Sequence, residues 1–413
     1  MNASLEDERR KWQHVIDGAG LSRRVALLYA AVYLHYGVYG AFMPLWFQHK
    51  GMSASQIGTL VALPVLLRVL FVAPVTALAD RLRRVRDVLF VCIAITAALV
   101  LVLQWVSGYI ALLVFFTLFA VAWDPLPILA DGYASAAVRV RNLDFGRMRM
   151  WGTISLVCTA MVGGRVLDRL GVDLIPLLTC LLLLAPLLII RLLPPDRLFG
   201  ESARAAPGEW RSIIHDGPAM LVIAGIALVM GSSAILLAFG AIQWSAKGLS
   251  NGSIGLLYGV AAASEIIVFS FAQTLLGKRP ELWLLVVGAA LTTIRWLGMA
   301  MDPGFEVLVG LALLQGPSAT AVIAGSILYI ARRFPTHLVA TANGVNAVLV
   351  GISAAAAMFV GGYLWEALKA LSYLPMAGMS LLALVIFLVA VRRQRRSLNT
   401  EPGLVLPVTA TTP

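Results

Sequence analysis

Five charged residues stand inside long apolar runs of this 413-residue chain: Arg68, Asp124, Asp131, Glu265 and Arg295, with His35 as an ionisable companion. A charge near the centre of a bilayer costs at least about 2.5–3.5 kcal/mol on insertion scales, so such residues need a task or a partner. Glu265 is the natural proton carrier among them. A carboxyl whose surroundings alternate between dry and arginine-paired can load and release a proton near neutral pH. Arg68 and Arg295 each present the planar fork that grips a carboxylate; the other reading is a buried ion pair that fixes helix packing. His35, in Tyr33-Leu34-His35-Tyr36, is either a proton relay or a core histidine bonded to a neighbour. Asp124 and Asp131 are seven residues apart and share a helix face, and Asp131 is placed to pair with Arg149. Tyr36, Tyr39, Trp123, Gln243 and Trp244 offer an aromatic, hydrogen-bonding wall, and Phe269 an apolar contact. Trp46 and Trp244, near helix ends, also fit the belts that aromatic residues form at membrane interfaces.

A repeat sets the depth of two of these residues. Lys50-Gly51-Met52-Ser53-Ala54-Ser55-Gln56-Ile57-Gly58-Thr59-Leu60 returns as Lys247-Gly248-Leu249-Ser250-Asn251-Gly252-Ser253-Ile254-Gly255-Leu256-Leu257, with six of eleven positions identical at an offset of 197. The same offset places Arg68 opposite Glu265. Arg68 lies eleven residues past Ile57, which at the helical rise is about 16 Å, roughly the midplane. Two ionisable residues at matched depth point to a site between two related halves.

The elements that carry them are membrane helices. The chain is 60% hydrophobic and 13% charged, with a mean hydropathy of +0.87, against about 45–50% apolar and 25% charged in soluble domains. Apolar runs predict twelve spans, near 24–47, 54–79, 87–107, 109–137, 145–168, 172–192, 214–245, 251–276, 282–301, 304–332, 337–366 and 371–391. The organisation expected is an N-terminal six-helix half over 1–192, with 1–22 cytoplasmic, a linker at 193–213, a second half over 214–392, and a disordered tail at 393–413. Orientation follows lysine and arginine. Of 32 basic residues, only Lys50, Arg165, Arg169, Lys247 and Lys369 fall on the side opposite the termini, and Arg68 and Arg295 fall within the membrane. Both termini are therefore expected inside. The net charge of +11 is this bias, and no nucleic-acid partner is needed to explain it. Cys92, Cys158 and Cys180 have neither metal-site nor disulfide spacing.

No nucleophile elbow, zinc helix or phosphate-binding loop is present, so neither an enzyme nor direct use of ATP is indicated. No cofactor or metal is expected; the expected partners are a small solute, protons and lipid, and the expected state is a monomer. Two halves of six spans form a parallel repeat, with a central cavity at their interface.

Several segments carry a resemblance. Ala77-Leu78-Ala79-Asp80-Arg81-Leu82-Arg83-Arg84 resembles the loop between spans two and three of major facilitators, although the leading glycine is absent. In that family the Asp and Arg lock the cytoplasmic gate, which implies gating roles for Asp80, Arg81 and Arg84. Trp46-Phe47-Gln48-His49-Lys50-Gly51, Asp144-Phe145-Gly146-Arg147-Met148-Arg149-Met150-Trp151-Gly152, Trp244-Ser245-Ala246-Lys247-Gly248, Glu265-Ile266-Ile267-Val268-Phe269 and Arg295-Trp296 resemble the 3-phenylpropionate permeases, in the sugar and nucleoside proton symporter branch. The resemblance implies the all-α major facilitator fold and proton-coupled uptake of a small organic solute, aromatic or other carboxylic acids being favoured, across a bacterial inner membrane. By similarity to lactose-type symporters, Asp131 and Arg149 would bind substrate, and Glu265 and Arg295 would couple it to protons. The later His and Glu of that relay have no match in span ten, and Asp124 is additional. The rival readings are a sugar or nucleoside symporter, a drug-type exporter, or a membrane sensor that no longer transports.

Overall fold

The computed structural model describes residues 12–13, 20–82, 84–141, 143–195, 198, 210–271 and 279–400. The first half holds α1 (Gly20–Leu34), α2 (Tyr36–His49), α3 (Ala54–Leu82), α4 (Val85–Leu103), α5 (Tyr109–Trp123), α6 (Pro125–Arg141), α7 (Phe145–Leu170) and α8 (Ile175–Ile190). The short α9 (Trp210–Ile214) leads into the second half: α10 (Gly217–Ser232), α11 (Ala234–Ala246), α12 (Asn251–Ser270), α13 (Glu281–Ala300), α14 (Phe305–Leu313), α15 (Gln315–Arg333), α16 (Thr336–Leu368) and α17 (Tyr373–Thr400). Among the described residues ten segments are long and apolar enough to cross a bilayer, and α3 adds an eleventh when its bent parts are taken together. The longest, His337–Arg395, holds both α16 and α17. Side chains such as Leu188, Ile110, Val162 and Leu181 stay exposed on the outer surface, as lipid-facing positions do. Helix α17 runs on to Thr400, so 393–400 is helical rather than the disordered tail expected; 401–413 lie outside the described residues.

Four expected spans are each two helices. The breaks fall at His35, Asp124, Ser233 and Leu314. Pro125 and Pro127 account for the second, because each removes a backbone donor just past Asp124. Pro317 accounts for the fourth. It leaves the Leu313 carbonyl without its helical partner, and Ser264 Oγ on α12 donates to that oxygen at 2.6 Å. Ser233 falls within one residue of the repeat counterpart of His35, so the first and third breaks are one feature in two copies. Helix α3 also bends, by 44° between Ala54–Arg68 and Leu70–Ala79, where Pro74 frees the Leu70 carbonyl.

The repeat is a helix stop joined to a helix start. Gly51 and Gly248 adopt φ of +81° and +82°. Each ends its helix with the paired bonds of a Schellman turn: Gly51 N–H to Gln48 O at 2.9 Å and Met52 N–H to Phe47 O at 3.1 Å, then Gly248 N–H to Ser245 O at 2.9 Å and Leu249 N–H to Trp244 O at 3.1 Å. The serine then caps the next helix, Ser53 Oγ accepting from Gln56 N–H at 3.3 Å and Ser250 Oγ from Ser253 N–H at 3.2 Å. Gln56 completes a capping box by accepting from Ser53 N–H at 3.0 Å. Gly248→Ala is expected to lower stability by about 1–2 kcal/mol, since a Cβ is strained in the left-handed region; it would be read as a fall in melting temperature in detergent.

The halves meet along α3 with α16, α7 with α12, and α2 with α11. At the end that carries the repeat turns the backbones touch. A Cβ on Gly255 would overlap the Ala160 carbonyl, and one on Gly164 would overlap that of Asn251. Across the other seam a Cβ on Gly58 would come within 2.6 Å of Met358 O, and one on Gly362 within 2.7 Å of Ala54 O.

Candidate functional site

Between the halves lies a cavity of about 280 Å³. The first half supplies Tyr36, Gly37, Gly40 and Ala41 from α2, with Leu156 and Ala160 from α7. The second supplies Tyr258, Ala261, Ala262 and Glu265 from α12, Arg295 from α13, Gln315 at the start of α15, and Ser233, Leu236 and Leu237 at the α10–α11 break. Two broken spans thus open directly onto the cavity, and the α14–α15 break places Gln315 beside Glu265.

Glu265, Gln315 and Arg295 form its polar wall. The Gln315 side chain is the hydrogen-bonding neighbour of the Glu265 carboxyl, and Arg295 is its charged neighbour. Glu265 and Arg295 are not joined as an ion pair, and Arg295, only 3% exposed, leaves Nε without a hydrogen-bond partner. Its guanidinium lies over the Trp296 ring at 4.7 Å. A carboxyl and a guanidinium that share a cavity without closing on each other leave both free to take a ligand or a proton.

The first half has a second couple. Arg68 is the charged neighbour of Asp124, with Tyr36 close to both. Neither Arg68 nor Asp124 lines the cavity. Arg68 and Glu265 are thus not brought together here: Glu265 faces Arg295 within its own half, and Arg68 faces Asp124 in the other.

The aromatic wall exists, but only Tyr36 opens onto the cavity. Trp123 stacks behind it at 5.7 Å and Tyr39 meets it edge-on at 5.7 Å. His35 is fully buried and packs edge-on against Trp123 at 4.3 Å. A histidine set among its neighbours was one of the two expectations, and the ring sits at the α1–α2 break beside the Val32 backbone, its polar neighbour. Gln243 lies elsewhere, its amide donating to Asp302 Oδ1 at 2.6 Å while Lys247 pairs with the same carboxylate at 3.2 Å. Trp46 and Trp244 are buried rather than forming a belt. Phe269, one turn past Glu265, is 51% exposed and does not line the cavity.

Asp131 and Arg149 pair as expected, at 3.3 Å, and Tyr29 adds a hydroxyl donor to Asp131 at 2.7 Å. They sit within the first half, away from the cavity. Both are partly exposed, so a double-mutant cycle of Asp131→Asn and Arg149→Gln is expected to give a coupling of about 0.5–1 kcal/mol in unfolding free energy. Among the expected gating residues, Arg81 and Arg84 are exposed and Arg84 precedes α4; Arg83 and the side chain of Asp80 lie outside the described residues.

Tyr258, Gln315 and Ser233 were not anticipated. Tyr258 stands seven residues before Glu265, a spacing that shares a helix face. Gln315, in Leu314-Gln315-Gly316-Pro317, is an amide in an apolar run just before a proline, which was a legible signal.

Residues 26–374 match the profile described as the MFS_1 like family, of the major facilitators. The chain belongs to this family. It is a membrane transporter rather than an enzyme, as its relatives are. The probable 3-phenylpropionic acid transporter of Escherichia coli (strain K12) is 24% identical over 352 residues, covering 84% of this chain and 91% of that protein. The maltose permease of Geobacillus stearothermophilus is 23% identical over 376 residues, covering 89% and 94%. A crystal structure of a mutant of nucleoside transporter NupG superposes with a TM-score of 0.79 at 15% identity, covering 90% of this chain and 99% of that one.

Proposed function

We propose that this transporter takes up a small organic acid together with protons, with both termini in the cytoplasm of a bacterial cell. The observation that carries the reading is the unpaired Glu265–Arg295 couple in one cavity. Arg295 holds the substrate carboxylate in a fork that an ammonium could not reproduce. Glu265 carries the proton, with Gln315 orienting its carboxyl. The remaining lining is Tyr36, Tyr258 and small or aliphatic side chains, which suits an aromatic or aliphatic body. A volume of about 280 Å³ is at the small end of ligand sites, which span roughly 300–1,000 Å³. That favours a monocyclic acid over a drug-sized substrate. The relative described as a 3-phenylpropionic acid transporter supports the same class. Asp131, Arg149, Asp124 and Arg68 act in this reading from within the first half, outside the cavity lining, and Asp80, Arg81 and Arg84 gate the cytoplasmic end.

A second reading, a sugar or nucleoside symporter, is favoured by the neutral hydrogen-bonding groups Gln315, Tyr36 and Tyr258 in the cavity. Vesicles reconstituted with the purified protein separate the two. Under an inwardly directed proton gradient, aromatic monocarboxylates are expected to accumulate and a protonophore to abolish the accumulation. Accumulation of maltose or a nucleoside instead would replace the acid reading, and accumulation insensitive to the protonophore would end the proton reading.

A further inference from the structure

The duplicated turn does more than join helices. In each copy the serine cap serves the third residue of the new helix, Gln56 in α3 and Ser253 in α12. The amides before it have no partner within their own helix, as at every helix start. A carboxylate from the other half takes them. Asp168, near the end of α7, accepts from Asn251 N–H at 2.7 Å and Gly252 N–H at 2.9 Å at the start of α12. Glu366, near the end of α16, accepts from Ser55 N–H at 3.0 Å and Ser55 Oγ at 2.8 Å at the start of α3. Glu366 falls within one residue of the repeat counterpart of Asp168, and Gly252 is the counterpart of Ser55. The two contacts are therefore one device in two copies, each reaching in the opposite direction across the seam.

Below each carboxylate the backbones are in the glycine contacts already described: Gly164 and Gly255 under Asp168, Gly58 and Gly362 under Glu366. Opening this end must part the glycine surfaces and strip both carboxylates from their helix starts. No hydrogen bond inside a helix need change. The bonds are charge-assisted, and each negative charge sits at the positive end of a helix dipole.

We propose that Asp168 and Glu366 are paired latches that hold the repeat-turn end of the transporter shut, and so set the balance between the closed-end state seen here and the state open at that end. They are positioning residues for transport that never touch the substrate. The inference rests on alternating access by the two halves, and is independent of the solute and of the coupling ion.

Spin labels at Leu170 and Met301, both exposed at this end and one on each half, read the opening as an interspin distance, in protein whose three native cysteines are replaced by serine. The measurement needs neither substrate nor gradient, so its outcome is separate from that of the proton and acid reading. Asp168→Asn and Glu366→Gln replace a charge-assisted acceptor by a neutral one. Each is expected to raise the open-to-closed ratio about five- to tenfold, and the double variant by about the product. Asp168→Glu, which keeps the charge, is expected to stay nearer the parent than Asp168→Asn. Ser55→Ala, which removes one hydroxyl contact, should give a smaller shift in the same direction and remains informative if the double variant fails to fold. An unchanged distance distribution in the folded double variant, equal shifts for Asp168→Glu and Asp168→Asn, or no shift in Ser55→Ala where the double variant cannot be prepared would overturn the proposal.

Discussion

Glu265→Gln is expected to abolish solute accumulation driven by a proton gradient while leaving exchange of substrate across the membrane intact. Glutamine keeps the size of the side chain and can still hydrogen-bond Gln315, so the cavity between α2, α7, α12, α13 and α15 keeps its shape. What it loses is the one titratable proton in the polar wall. A carrier without that proton still binds substrate and still alternates, because both depend on the two halves and on Arg295. It can no longer tie the return step to proton release, so the internal concentration falls to the external one. Uptake and exchange measured on the same vesicles check this. Unchanged accumulation would remove the proton from Glu265, and Asp124→Asn is the companion variant that tests the half-buried carboxyl beside Arg68.

Arg295→Lys is expected to weaken binding of a carboxylate substrate by about 10- to 100-fold, with little effect on a neutral ester or amide of the same body. Arg295 is 3% exposed and its Nε has no partner in the protein, so a ligand carboxylate would complete an otherwise unsatisfied fork. A hydrogen bond to a charged group contributes about 1.5–3 kcal/mol net, and about 1.4 kcal/mol is tenfold in affinity. Lysine keeps the charge but presents one compact ammonium, so it loses the second parallel bond. Titration calorimetry on purified variants reads the change directly. Equal affinity for acid and ester in the parent protein would remove Arg295 from substrate recognition. Arg68→Lys is the control. Arg68 is exposed, lies outside the cavity and faces Asp124, so less than about a threefold effect is expected, in keeping with the modest worth of exposed ion pairs.

Two families of contact explain what was legible beforehand. Apolar runs with most of their charges at the ends identify membrane helices from composition alone, because charge in hydrocarbon is costly whatever the helices later pack against. The offset of 197 identified the two halves, and the stop-and-start chemistry of Lys-Gly-x-Ser was readable because glycine in the left-handed region and a serine cap are local requirements. The Asp131–Arg149 pair was readable for a similar reason, as two charges at one depth on consecutive spans. Helix breaks were half legible. Pro125 and Pro127 beside Asp124 and Pro317 beside Leu314 are local reasons for two of the breaks, since each removes a backbone donor, whereas the breaks at His35 and Ser233 have no proline beside them.

By itself, then, the sequence determined the membrane class, the duplication, the matched repeat positions of Arg68 and Glu265, and the turn that starts α3 and α12. These follow from hydropathy, periodicity and backbone sterics, which act over a few residues. Only the tertiary structure decided which charge faces which. Depth places a residue along the helix axis, but rotation about that axis sets its neighbour, and rotation is fixed by packing between helices. That is why Glu265 meets Arg295 rather than Arg68, why Tyr36 opens onto the cavity while Tyr39 is sealed behind it, and why Gln243 turns to Asp302. It also decided that the starts of α3 and α12 receive carboxylates from the opposite half, a contact between Asp168 or Glu366 and residues far away in sequence that no local rule could announce.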